Sequence, residues 1–135
     1  MRPEIRISRN ALTADLFLSL YSAVGWEPPC RAQAEQALAH TWAAFTASIA
    51  GTPVGMVRLL GDGGMSFYLK DFAVLPACQG QGVGRALLHA AQEAILSGIP
   101  QGWTVSLELI STPTAVDFYR RQGFEERPCA WDGPG

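Results

Sequence analysis

A glycine-rich turn between a strand and a helix constrains this sequence most. Residues 70–75 are largely apolar, and residues 79–84 read Q-G-Q-G-V-G directly before a helical pattern. Glycine permits the backbone conformations of a tight turn, and the first amides of a helix have no partner within it. A turn of this kind at a helix start is suited to holding an anion such as a phosphate group.

Two common phosphate-binding motifs do not fit this turn. A P-loop has Lys and then Ser or Thr after its last glycine, whereas Gly84 is followed by Arg85 and Ala86. A dinucleotide-binding fingerprint would need glycine at position 85 and normally follows the first strand of a domain. The turn matches instead the pattern Q/R-x-x-G-x-G, after a strand that ends in V-x-P at residues 74–76.

Apolar periodicity predicts the elements that follow the turn. Apolar residues recur at spacings of three and four from Val83 to Ile95. This predicts a helix with one buried face, which Gly98 is placed to end. The alternating apolar residues of 104–110 predict a strand.

A last helix is predicted near the end of the chain. Thr112 is a residue type that caps helices, and Pro113 suits the first helical position. The helix then reads A-V-D-F-Y-R-R-Q over residues 115–122 and closes on Gly123 and Phe124.

The first half of the chain predicts four strands and two helices. They are a strand at Ile5 and Ile7, helices over 13–23 and 31–40, strands over 43–50 and 54–60 joined by a turn at 51–53, and a strand over 65–75. The whole order predicts a mixed sheet with helices on both faces.

The composition limits the chain to one domain. Its 135 residues, 48% of them hydrophobic, can bury one core but are too few for two ordinary domains. A net charge of -2 without a basic run argues against a nucleic-acid partner. Cys30, Cys78 and Cys129 are widely spaced, which favours reduced thiols in the cytoplasm over disulfides or zinc. The sequence has no membrane-spanning run.

Residues 79–84, together with the run A-x-x-F-Y-x-x-x-G-F from Ala115 to Phe124, resemble the two signatures of the GCN5-related N-acetyltransferase (GNAT) superfamily. The resemblance implies one α/β domain over residues 1–135, with a mostly antiparallel sheet whose central strands splay. It also implies acetyl-coenzyme A as the cosubstrate, its pyrophosphate at the turn, and no metal. Family members usually have further strand structure after the second signature. Only residues 125–135 remain here, so the last strand is expected to be short, missing or supplied by a partner, and an open sheet edge favours a homodimer.

The resemblance assigns coenzyme contacts to backbone and side chains along the central strand, the turn and the last helix. These residues are Phe72, Ala73, Val74, Gln79, Gly80, Gln81, Gly82, Val83, Gly84, Arg85, Thr112 and Phe118.

The resemblance also suggests the catalytic groups. Tyr119 matches the family's tyrosine, which donates a proton to the departing thiolate. Many members carry a glutamate on the central strand where this chain has Tyr68. Asp71 and Glu108 are the carboxylates nearest the expected cleft, and either is a candidate for the general base. The alternative for Asp71 is a structural bond to the backbone at a bulge.

Three functions remain open from the sequence. The first is transfer of an acetyl group from acetyl-coenzyme A to a small primary amine, bound by Tyr21, Trp26, Phe67 and Tyr68. The second is acetylation of a protein lysine or amino terminus, and the third is coenzyme binding without catalysis.

Overall fold

The computed structural model of the protein describes residues 4–127 of the chain. It contains one sheet of five strands in the order β1-β2-β3-β4-β5, with antiparallel pairing from β1 to β4 and parallel pairing between β4 and β5. The strands are β1 (Ile5–Arg9), β2 (Ala43–Ile49), β3 (Thr52–Gly61), β4 (Ser66–Val74) and β5 (Ser106–Glu108).

Helices cover both faces of the sheet, as the sequence predicts. The four helices are α1 (Ala14–Ala23), α2 (Arg31–Ala39), α3 (Val83–Gly98) and α4 (Val116–Arg121), with short 3-10 turns at Pro76–Cys78 and Pro113–Ala115. One apolar core lies between α3 and the sheet, and a second lies between the sheet and α1 and α2. None of the helices among residues 4–127 is long and apolar enough to cross a membrane.

The hairpin between β2 and β3 turns earlier than predicted. Thr52 and Pro53 belong to β3, and the two-residue turn is formed by Ala50 and Gly51. Both turn residues have positive φ, +51° and +81°. A two-residue hairpin of type I′ needs this conformation at both central positions, because its twist matches that of the flanking strands. The predicted turn at 51–53 is therefore wrong by one to two residues.

A β-bulge interrupts β4. Met56 pairs with Ala73 and Arg58 pairs with Lys70, so β4 has one residue more than β3 in this interval. Asp71 lies in the bulge with φ +53°, a left-handed conformation that residues with a side chain rarely adopt. An inserted residue shifts the alternation of side chains along the strand.

The bulge determines which β4 residues face α3. Phe67 and Leu69, before the bulge, belong to the core under α3. After the bulge the even-numbered Phe72 and Val74 pack against that core, and Ala73 belongs to the core under α1 and α2. Without the extra residue, the last part of β4 would present the opposite side chains to α3.

The central strands of the sheet separate beyond Tyr68. Pairing of β4 with β5 extends only from Ser66 opposite Ser106 to Tyr68 opposite Glu108. β4 continues to Val74, whereas β5 ends at Glu108 instead of reaching residue 110. The sequence predicts a strand over 104–110 from alternation alone. A strand also needs a neighbouring strand to pair with, and β4 diverges from β5 after Glu108. The outer edge of β4 is thereby left open, as expected of splayed strands.

The last helix begins differently from the prediction. Thr112 precedes a 3-10 turn, and its hydroxyl forms no cap bond to a backbone amide but lies 3.3 Å from the Thr114 hydroxyl. At the other end the amide of Phe124 donates to the carbonyl of Tyr119 at 3.1 Å, across Gly123 with φ +94°. This is a glycine-dependent helix ending, so the final G-F pair closes α4 as predicted.

Candidate active site

The turn after β4 has the backbone of an anion-binding site. Gly80 and Gly82 have φ of +80° and +90°, a conformation that glycine adopts without steric cost. The amide of Ala86 donates to the carbonyl of Gly82 at 3.0 Å. Within residues 4–127, no backbone carbonyl accepts a hydrogen bond from the amides of residues 80–85. These amides, with the positive end of the α3 dipole, suit phosphate oxygens.

Gly84 has a different role from the two glycines before it. Its φ is not positive, but a Cβ at this position would lie 3.4 Å from Cζ of Phe118 and 3.6 Å from Cε1 of Phe72. A methyl group would just touch these two aromatic rings, one from β4 and one from α4, and any larger side chain would displace them from the first turn of α3. Gly84 therefore brings β4, α3 and α4 together at the turn.

The open edge of β4 leads directly to the turn. The amide of Leu75 donates to the carbonyl of Val54 at 2.8 Å, so Leu75 turns its polar backbone groups towards β3. Because these groups alternate along a strand, those of Val74 and Phe72 point into the gap between β4 and β5. The side-chain amide of Gln79 donates to the carbonyl of Val74 at 3.2 Å, which links the turn to this edge.

A cleft of about 480 Å³ borders the turn on the outer side of α3. Arg85 and His89 are one helical turn apart there and are both exposed. The cleft is lined by Ile5, Gln81, Gly82, Arg85, Ala86, His89, Gln92 and Gln122. It provides space for a ligand that extends from the amides of the turn along α3.

Tyr119 belongs to an aromatic cluster that reaches from α4 to the end of β4. Its ring centroid lies 5.2 Å from that of Phe118, 5.8 Å from Phe124 and 6.1 Å from Phe72, all in edge-to-face arrangements. Such pairs fix the orientation of the rings. Burial raises the pKa of the Tyr119 hydroxyl above its ordinary value near 10. The hydroxyl therefore carries its proton throughout the neutral range.

Asp71, one of the two candidate bases, is engaged in a buried ion pair. Nε of Arg58 donates to its carboxylate at 2.7 Å, and the two side chains are 11% and 10% exposed. Removal of either partner of such a pair would leave an uncompensated buried charge, which is strongly unfavourable. The geometry matches the structural alternative for Asp71, a bond that holds a bulge, although its partner is a side chain and not the backbone.

Glu108, the other candidate base, is exposed at the point where β4 and β5 separate. It lies opposite Tyr68 in the parallel pair. Burial, and after it the negative charge of Glu108, raise the pKa of the Tyr68 hydroxyl above its ordinary value. In the described part of the chain, Glu108 forms no salt bridge, so its carboxylate is available to accept a proton.

The residues predicted to bind the acceptor do not all lie together. Tyr21 and Trp26 are half-buried near the end of α1, with ring centroids 5.0 Å apart. Phe67 is 2% exposed and packs edge-to-face on Trp42 at 4.9 Å, inside the core under α3. The prediction that Phe67 binds the acceptor is therefore wrong, because strand alternation directs its ring away from α1 and α2.

Burial limits how two of the predicted coenzyme contacts, Ala73 and Val83, can act, whereas a third, Thr112, is exposed. The side chains of Ala73 and Val83 are 3% and 1% exposed, so only their backbone is able to reach a ligand. The Ala73 backbone is part of the ladder with β3. Thr112 lies at the start of the 3-10 turn before α4, with an exposed side chain.

Arg58 is the residue that sequence reasoning missed. It is the one charged side chain within the otherwise apolar stretch V-G-M-V-R-L-L of residues 54–60. A charge in the middle of a buried strand is rarely tolerated without a partner. That signal predicts a paired arginine, although it does not identify the partner.

Comparison with known proteins identifies the family of the chain. The family model described as an acetyltransferase (GNAT) domain matches residues 38–126. Serotonin N-acetyltransferase 2, a chloroplastic protein of rice, is 31% identical over 133 residues, which cover 96% of this chain and 64% of the rice protein. GCN5-related N-acetyltransferase 1 of Arabidopsis thaliana is 30% identical over 126 residues, which cover 92% of this chain and 62% of that protein. The chain thus spans somewhat less than two thirds of these curated relatives.

Solved structures show the same fold. A GNAT-family acetyltransferase from Streptococcus pneumoniae is 32% identical and superposes with a TM-score of 0.74, covering 98% of this chain and 100% of that one. A probable acetyltransferase from meticillin-resistant Staphylococcus aureus is 26% identical with a TM-score of 0.83, covering 98% of both chains. The chain belongs to the GNAT acetyltransferase family. Its fold is the one expected from the two signatures.

Proposed function

We propose that the protein is an N-acetyltransferase that moves an acetyl group from acetyl-coenzyme A to a small primary amine. The observation that carries the proposal is that three features lie next to one another where β4 ends and α3 begins. These are the amides of residues 80–85, which have no backbone partner within residues 4–127, the open edge of β4 at Phe72 and Val74, and the Tyr119 ring beside Phe72. A pyrophosphate, an extended amide-containing arm and a thioester occur in that order in acetyl-coenzyme A.

Coenzyme binding relies mainly on backbone groups. The pantetheine arm adds to the open edge of β4 as an extra strand, through the amides of Phe72 and Val74. The pyrophosphate accepts hydrogen bonds from residues 80–85, and the exposed guanidinium of Arg85 adds positive charge nearby. An exposed helix terminus contributes only about 0.3–1 kcal/mol per charge, so affinity depends on several amides acting together.

The acceptor amine must lose a proton before it attacks. An alkyl amine has a pKa near ~10.4, so only about one molecule in 10³ is neutral at pH 7. Glu108 is our candidate for the base, because its carboxylate is exposed beside the splay and forms no ion pair within the described residues. It takes the proton directly or through an ordered water.

Transfer then exchanges one bond for another. The amine nitrogen attacks the thioester carbonyl, the new C–N bond forms, and the C–S bond breaks as the oxyanion collapses. Tyr119 donates its phenolic proton to the departing thiolate, which would have a pKa near ~8.5 as a thiol. The base passes the first proton to solvent and then accepts the second proton of the nitrogen as the adduct collapses, and the phenolate of Tyr119 regains a proton from solvent.

The acceptor pocket that we propose lies on the α1 and α2 side of the splay. Tyr21 and Trp26 form a small aromatic wall, and Tyr68 and Glu108 lie across the strands. Aromatic faces and a carboxylate favour a cation with an apolar body. The name of the rice relative states that its acceptor is serotonin, which is a small aromatic primary amine. An amine of that class is our proposed acceptor.

The experiment that tests this function follows coenzyme A release with a thiol reagent. Serotonin, tyramine, spermidine, an aminoglycoside and a lysine peptide are offered in turn as the acceptor. We expect turnover with the aromatic amines, and a decrease of about 10²-fold or more in Glu108→Gln at neutral pH, the size typical of a lost general base.

The alternatives give different results in the same assay. Turnover of the lysine peptide alone would favour a protein acceptor. Binding of acetyl-coenzyme A with no turnover of any amine would identify a coenzyme-binding module. An unchanged rate in Glu108→Gln would exclude Glu108 as the base while leaving the acetyltransferase proposal intact.

We also propose that the protein forms a homodimer. Within residues 4–127, no strand pairs with the outer edge of β5, and an open edge promotes association with another strand. The expected result is a dimer mass in light scattering at micromolar concentration. A monomer mass up to the highest soluble concentration would contradict it.

A further inference from the structure

Arg58 and Asp71 form a buried ion pair that the proposed transfer step does not use. Asp71 carries the left-handed φ of +53° that defines the β4 bulge. Arg58 lies opposite the residue just before the bulge, Lys70, and donates to Asp71 at 2.7 Å. The ion pair therefore joins β4 to β3 at the bulge, where the hydrogen-bond ladder between these two strands is interrupted.

Arg58 is also attached to the end of α2. Its Nη1 lies 3.2 Å from the Thr41 hydroxyl oxygen and 3.4 Å from the Ala37 carbonyl, and donates to both. The Thr41 hydroxyl in turn donates to the Ala37 carbonyl at 2.8 Å. The guanidinium is thus held from two sides, and an arginine with several fixed partners restrains Asp71 more tightly than a flexible cation would.

The conformation of Asp71 has consequences for the coenzyme edge. The bulge turns Phe72 and Val74 to the α3 side and aims their backbone groups into the gap between β4 and β5. A residue with a side chain is strained in the left-handed region, although aspartate adopts it more readily than most. Some other interaction must hold it there, and the bond to Arg58 is available for that purpose.

We propose that Arg58 is a positioning residue, which locks Asp71 in the bulge and so aligns the open edge of β4 for the pantetheine arm. This inference rests on the proposed function, because it assumes that acetyl-coenzyme A binds along that edge. In this role Asp71 is the partner of Arg58 and takes no proton from the acceptor amine.

The test compares acetyl-coenzyme A affinity in a set of variants by calorimetry at 10 °C, with folding checked by circular dichroism. Arg58→Met is expected to weaken binding about tenfold, and the milder Arg58→Lys to weaken it less. The double variant Arg58→Met, Asp71→Gly is expected to bind within about threefold of the native protein, because glycine adopts the left-handed conformation without the pair. Arg31→Met is the matched control, since Arg31 joins α1 and α2 through an exposed pair with Asp15 and should leave affinity unchanged.

Kinetics separate the positioning role from catalysis. The double variant Arg58→Met, Asp71→Gly has no carboxylate at position 71 and leaves no unpaired guanidinium, so we expect its kcat to stay within about threefold of native. A kcat lower by 10² or more in this variant, with acetyl-coenzyme A affinity restored, would make Asp71 the base and overturn the proposal.

Three other outcomes are decisive. Native affinity in Arg58→Met with a lowered melting temperature would make the pair purely structural. A double variant as weak as Arg58→Met would show that the bulge conformation is not what the pair supplies. If the native protein does not bind acetyl-coenzyme A at all, the proposed function fails together with this inference, whereas the first two outcomes leave that function standing.

Discussion

Gly82→Val should reduce acetyl-coenzyme A affinity by at least about 100-fold, equivalent to ~2.7 kcal/mol at 25 °C. Gly82 has φ +90°, and a β-branched residue is a severe outlier in that region. Space is not the limit, because an added Cβ would meet only Ile5 Cδ1 at 4.0 Å. The backbone would instead leave its native conformation, and the amides of residues 80–85 would no longer converge. Calorimetry measures the effect.

A control separates lost binding from lost stability. Gly102 has φ +94° and no atom within 4 Å of an added Cβ, but it lies in the loop before β5. Gly102→Val imposes the same kind of backbone strain away from the turn and should leave affinity unchanged. Equal losses in both variants, or native affinity in Gly82→Val, would contradict the assignment of the turn.

The third glycine of the motif is expected to respond differently. At Gly84 an added Cβ would meet Phe118 Cζ at 3.4 Å and Phe72 Cε1 at 3.6 Å, which is ordinary contact distance. Gly84→Ala should therefore be tolerated, whereas Gly84→Val should displace the aromatic rings and greatly weaken binding. The contrast tests whether Gly84 acts by packing and Gly82 by backbone conformation.

Tyr119→Phe should lower the rate of acetyl transfer by about 10² to 10⁴, the range typical of a lost general acid. Phenylalanine keeps the edge-to-face contacts with Phe72, Phe118 and Phe124. The melting temperature and the affinity for acetyl-coenzyme A should therefore stay close to native. The measurement is steady-state turnover with an aromatic amine, alongside calorimetry.

The pH profile provides a second test of Tyr119. Burial raises the pKa of its hydroxyl above 10, so the acid form is fully populated at neutral pH and is lost only as the pH rises through that higher value. At every pH below 10, deprotonation of Tyr119 should therefore cause no decrease in the native rate. A native rate in Tyr119→Phe would move protonation to water or another residue. A joint loss of stability and activity would make the hydroxyl a structural group.

Much of the fold follows from local sequence pattern. The amphipathic helix from Val83 to Gly98 and the four strands of the antiparallel part were predicted within about two residues at each end. Each depends on the periodicity of neighbouring residues, which the sequence contains directly. The errors lie where the pairing between strands sets the ends of an element, as in the hairpin turn at Ala50 and Gly51 and the short β5.

The candidate site divides in the same way. The glycine turn and the F-Y pair of α4 could be recognised because their chemistry lies in contiguous residues. Phe67 could not be excluded from the acceptor pocket, because its burial depends on Trp42 and α3. Glu108 and Asp71 look alike as carboxylates in the sequence, but only one of them is paired in the described structure.

The sequence by itself determined the strand, turn and helix of the candidate anion site, because backbone conformation at glycine and the free amides of a helix start are local properties. Within residues 4–127, tertiary structure alone decided which carboxylate is paired and where the sheet opens. Arg58 and Asp71 are 13 positions apart, the bulge belongs to the pairing of β3 with β4, and the gap begins where pairing of β4 with β5 ends. Such contacts depend on how strands pair and helices pack, which nearest-neighbour patterns do not encode.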